Sequence, residues 1–94
     1  MNIDQRLQAI AEEIAELETE IGILDEQVAF QSEVFEDARI RALVAETPLA
    51  DREAGEAESD LRRMERNRAD AANRLTALRA EADGLLERKL QTGG

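Results

Sequence analysis

The side chains of this sequence that can do chemistry are of two kinds: 22 carboxylates, and the guanidinium and ammonium groups of 12 Arg and Lys. There is no His and no Cys. That removes the usual proton shuttle, the thiol nucleophile, the disulfide and the common zinc ligands. The lack of Trp and Tyr removes the platforms on which single-stranded nucleic acid stacks. The five Gly are scattered, so no Gly-rich phosphate loop forms. What remains is acid–base work by carboxylates, which needs an enclosed pocket to shift a pKa. Two clusters are candidates for something more than solvation: Glu46, Asp51 and Glu53 around the single Pro, and the basic group Arg62, Arg63, Arg66 and Arg68.

The distribution of charge narrows the partners. Residues 1–46 hold twelve acids and three bases, whereas residues 47–94 hold ten acids and nine bases. A formal net charge of −10 repels phosphate backbones and anionic lipid headgroups. Nucleic acid and membrane partners are therefore not expected, and the basic cluster has a complementary surface in the acidic first half of its own chain. No basic-then-apolar leader opens the sequence, and no apolar run approaches the roughly 20 residues of a bilayer span. The expectation is a cytoplasmic protein. Eleven Arg against one Lys, with sixteen Ala, is a bias associated with GC-rich bacterial genomes.

The elements that would position these charges are legible in the apolar spacing. Ile3, Leu7, Ile10, Ile14, Leu17, Ile21, Leu24 and Val28 are separated alternately by four and three residues, and Gln31, Phe35, Ala38 and Ala42 continue the register. This is the seven-residue repeat of a helix whose seam faces another helix. Asn2 is placed to cap it, with Asp4 in the first turn near the positive end of the dipole. Thr47 and Pro48 then read as the cap and first residue of a new helix, because Pro cannot donate its backbone hydrogen and suits the first helical position. The second arm repeats the spacing at Ala54, Ala57, Leu61, Met64, Arg68, Ala71, Leu75, Leu78, Ala82 and Leu85. The predicted architecture is all-α, a single domain over residues 1–94. Its first helix spans 3–45, a turn 46–48 and a second helix 49–90, with a frayed tail at 91–94.

A bend at Thr47 sets residue x opposite residue 95 minus x, which lays the arginines of the second arm along the acidic middle of the first. The expected hairpin seam comprises Leu7, Ile10, Ile14, Leu17, Ile21, Leu24, Val28, Phe35, Leu61, Met64, Leu75, Leu78 and Leu85. Gln31 and Arg68 interrupt it, and the pairing brings Arg68 towards Gln27 and Gln31 as a polar layer. A competing reading lays the Arg68 stem across the seam with its head in water. Ile23, Phe30, Val34 and Val44 lie off the seam. A two-helix contact needs only the narrow stripe, so this extra width points to a second contact. Much of the second seam is Ala, which buries little, and hairpins of this kind gain by pairing. The reading is an antiparallel coiled-coil hairpin that dimerises into a four-helix bundle, a non-enzymatic protein–protein interaction or scaffolding module. It takes itself and another protein as partners, and no cofactor, metal or small molecule.

The turn segment Ala45-Glu46-Thr47-Pro48-Leu49-Ala50-Asp51-Arg52-Glu53 resembles that of small actinobacterial coiled-coil proteins, which share the heptad first arm and the Arg- and Ala-rich second arm. That likeness would cover nearly the whole chain and brings no activity with it. Pro48, Asp51, Arg52, Leu61-Arg62 and Arg66 are similar to the tip and descending helix of DksA/TraR-type factors, which insert an acid-tipped hairpin into the secondary channel of RNA polymerase. The resemblance implies Glu46, Asp51 and Glu53 as tip acids near the catalytic magnesium. The zinc-binding Cys cluster of that family is missing here, and the spacing of the acids differs. Secreted WXG100-type proteins share length, acidity and hairpin form, but their Trp-x-Gly turn is absent.

Overall fold

The computed structural model describes residues 2–92. All regular structure among them is helical: α1 spans Ile3–Ala45 and α2 spans Pro48–Thr92, with Glu46 and Thr47 between them. No strand occurs among the described residues.

Both helices start where side chains satisfy free backbone donors. The Gln5 amide donates to Asn2 Oδ1 at 2.8 Å, and the Asn2 amide donates back to Gln5 Oε1 at 3.2 Å. This reciprocal capping box satisfies two donors that α1 would otherwise leave open. The Ala50 amide donates to Thr47 Oγ1 at 3.1 Å, and the Asp51 amide to the Thr47 carbonyl at 3.1 Å. Pro48, which has no donor to lose, opens α2 at the position where that costs nothing. The second helix extends to Thr92, whose hydroxyl donates to the Arg88 carbonyl at 2.8 Å. Of the tail expected to fray, Gln91 and Thr92 are therefore helical, and Gly93 and Gly94 lie outside the described residues.

Glu46 ends α1 in the left-handed region, at φ 52°, with its amide donating to the Ala42 carbonyl at 3.0 Å. Glycine is the usual residue at such a position, because a Cβ there clashes with the following carbonyl. A carboxylate also opposes the negative end of the helix dipole. Glu46→Gly should gain roughly 1 kcal/mol, the relief of about 1–2 kcal/mol of left-handed strain offset by the extra freedom of an unfolded glycine. Urea unfolding measures it. A midpoint that falls would show that the Glu46 side chain makes a contact this geometry does not contain.

Two compact units divide the chain. One is Met1–Ile21 with Asp70–Gly94, and the other is Gly22–Ala69. In the first, the opening of α1 packs against the close of α2. Ile10 is 1% exposed and Leu78 is fully buried, with Leu17 and Ala71 also in the core. The second contains the turn, so it is itself a helical hairpin. Its buried residues are Ala38, Ala57 and Gln31. The deepest residues fall on one line of each heptad: Ile10, Leu17, Gln31 and Ala38 on α1, and Ala57, Ala71 and Leu78 on α2. The other line of the seam stays partly exposed, at Leu7, Ile14, Ile21, Val28 and Phe35 on α1 and at Leu61 and Leu75 on α2. Two helices cover one edge of a stripe this wide and leave the other open.

Candidate interaction surface

The charged flanks of each unit are zipped together by side chains that the heptad sets beside the seam. In the first unit, Arg6 holds Glu81 through two hydrogen bonds of 2.6 and 2.7 Å. Seven residues on, Glu13 accepts two bonds from Arg74 at 3.0 and 3.2 Å. On the opposite flank Asp4 meets Lys89, and Glu18 accepts from Arg79 at 3.0 Å. The Arg6 hydrogen bond holds the Glu81 carboxyl below its ordinary value, and that carboxylate raises Arg6 in return. In the second unit Arg68 donates to Asp25 at 2.6 Å. All these pairs lie at the solvent-facing edges of the seam, so each is weak on its own and serves mainly to select register.

Only part of the basic cluster reaches across to the acidic arm. Arg62 pairs with Glu58 and Arg63 with Asp60, each on its own helix, where four- and three-residue spacing brings them together. Arg68 does reach across, to Asp25 in the acidic middle of α1.

The expected polar layer does not form. Gln31 is buried, but its Nε2 donates to the Ala57 carbonyl at 3.1 Å, while Arg68 is exposed and bound to Asp25, and Gln27 is exposed. The cause is side-chain reach. The short Ala57 lets the α2 backbone come close enough for Gln31 to use a carbonyl. The long Arg68 stem carries its charge out of the seam to a carboxylate in water. No buried side-chain polar atom lacks a partner among the described residues.

Of the thirteen seam residues, Ile10, Leu17 and Leu78 are buried. The other ten, Leu7, Ile14, Ile21, Leu24, Val28, Phe35, Leu61, Met64, Leu75 and Leu85, are partly buried. The off-seam residues stand apart from them. Ile23 is 52% exposed, Phe30 68% and Val44 81%, and Val34 is partly buried. Ile40, Leu43 and Leu49, which the apolar spacing does not single out, are exposed in the same unit. Beside them lies a groove of about 310 Å³, with Val34, Ala38 and Ala57 as its apolar walls and Gln31 at its base. Arg41, Glu53, Glu56 and Asp60 rim it. It exists because Ala occupies seam positions on both helices, where a larger side chain would fill the space.

Glu46, Asp51 and Glu53 are all exposed at the turn. Asp51 lies in the first turn of α2, where the helix dipole accounts for an acid. Among the described residues no three of His, Cys, Asp or Glu come together in a way that would hold a metal ion. No helix among the described residues is long and apolar enough to cross a membrane. Comparison with protein-family models, with curated proteins and with solved structures finds no match to this chain.

Proposed function

We propose that this chain is a non-enzymatic interaction module, an antiparallel coiled-coil hairpin that pairs with a second copy through Ile23, Phe30, Val34 and Val44 to make a four-helix bundle. The opposed direction is supported by the ion pairs. On each flank of the first unit the partner number falls as the residue number rises, from Arg6–Glu81 to Glu13–Arg74 and from Asp4–Lys89 to Glu18–Arg79. Helices running the same way would make both numbers rise together.

The observation that carries self-association is surface. The chain exposes 6762 Å², where a compact folded monomer of this mass exposes about 5,400 Å². The excess is larger than the roughly 800 Å² each partner contributes to an ordinary interface. Among the described residues six apolar residues are buried, three of them Ala, a thin core for a chain of this length. Among the described residues, five of the eight large exposed apolar side chains lie on α1, and such side chains are the surface a protein of this kind would hide.

Sedimentation equilibrium at micromolar concentration tests this. A dimer is expected, with Phe30→Glu splitting it while most of the helix content survives; a parent protein that stays monomeric would refute the proposal. Because each copy carries a net charge of −10, association should tighten as salt rises, opposite in sign to an interface held by ion pairs. The acidic-tip reading rests on exposure alone. Capture of RNA polymerase that is lost when Glu46, Asp51 and Glu53 become Ala is the result that would favour it.

A further inference from the structure

We propose that the groove in the second unit is the receptor for Phe30 of a second copy, each copy giving its ring and receiving the other's. The inference rests on the self-association reading above and assigns that contact an anchor and a pocket.

The chain has two Phe. Phe35 is partly buried at the seam, so Phe30 is the aromatic ring standing in water, at 68% exposure. Interfaces concentrate their binding energy in such rings when they enter a dry pocket with a polar rim. The groove is open to solvent in a single copy and would become enclosed only when the second copy closes over it. Val34, Ala38 and Ala57 offer apolar walls, and the charges of Arg41, Glu53, Glu56 and Asp60 stay at the edge. Its volume of about 310 Å³ is ample for one ring, since an apolar cavity of roughly 150 Å³ takes up benzene.

Position makes the contact reciprocal. Val34 is both a groove wall and the residue one helical turn beyond Phe30, about 6 Å along the same helix. A two-fold axis passing beside Val34 therefore carries the Phe30 of each copy over the groove of the other, the self-complementary arrangement that closes a dimer. Ile23, seven residues before Phe30 on the same face, extends the contact along α1.

Glu53 and Glu56 at the rim would repel an approaching acid, so an uncharged ring suits the groove better than a carboxylate.

The chain has no Trp and no Cys, so two probes can be placed on separate copies. One protein carries Phe30→Trp as its sole fluorophore, and the other carries Glu56→Cys with a nitroxide label. Mixed with a large excess of the labelled copy at concentrations where sedimentation shows dimers, indole emission should fall several-fold relative to a mixture with the same excess of unlabelled partner. A label on Glu65→Cys, which is not among the groove residues, should quench far less. A dimer that forms without quenching from position 56 overturns the groove assignment and leaves self-association standing. A monomeric parent protein overturns both. The groove has room for an indole, so a monomeric Phe30→Trp protein beside a dimeric parent also contradicts the inference.

Discussion

Replacing Leu78 with Ala is expected to cost about 2–5 kcal/mol, a large share of the roughly 5–15 kcal/mol that holds a small domain folded. Leu78 is fully buried, so truncating it leaves a cavity in the core. Ile10→Ala should behave similarly, since Ile10 is 1% exposed. Three of the six buried apolar residues are Ala, so Ile10, Leu17 and Leu78 supply most of the buried bulk. Leu90, 80% exposed on the same helix, is the control: Leu90→Ala should change stability by less than about 0.5 kcal/mol. Denaturant midpoints should be compared at one protein concentration, because self-association would make stability concentration-dependent. Equal small losses at positions 78 and 90 would mean that the buried line is not where the chain keeps its core.

The opposite effect is expected from three interior glycines. Gly22, Gly55 and Gly84 lie within the long helices, and a Cβ added at any of them meets nothing within 4 Å. Each costs its helix about 1 kcal/mol relative to Ala. They are far apart in sequence, so their effects should add to roughly 2–3 kcal/mol for the triple substitution. For a domain of this size that raises Tm by about 10–20 °C. The single variants matter as much as the triple. Gly55 lies between the groove residues Glu53 and Glu56. Gly55→Ala that gains stability yet weakens the dimer would show the second copy closing on that turn.

Heptad spacing made both helices readable, because a seam repeated over so many turns permits one secondary structure and one buried face. The ends were readable for a local reason: Asn2, Thr47 and Pro48 act on backbone groups one turn away. Glu46 was harder, since the left-handed turn is forced by the break and no Gly announces it. The choice between the two seam lines was not legible, and the spacing offered both a polar layer of Gln31 with Arg68 and an Arg68 head reaching water. Side-chain length decides both, Ala57 admitting Gln31 to its carbonyl while Arg68 reaches out to Asp25. The groove was invisible for a related reason. It is a vacancy between Ala38, Ala57 and Val34, and spacing alone marks seam positions without saying which of them fill their space. Phe30 was recognisable as surplus to the seam, but its neighbour the groove was not.

The measurement closest to the heart of this account is a spin-label distance between Arg6→Cys and Glu81→Cys, positions whose native side chains hydrogen-bond. Labelled protein should be diluted in excess unlabelled chain so that only distances within one copy are seen. Two helices folded alongside each other predict a short separation, about 20–30 Å once label arms are allowed for. A single continuous helix would put those positions roughly 110 Å apart at 1.5 Å per residue, and that result would contradict the hairpin and the interface built upon it.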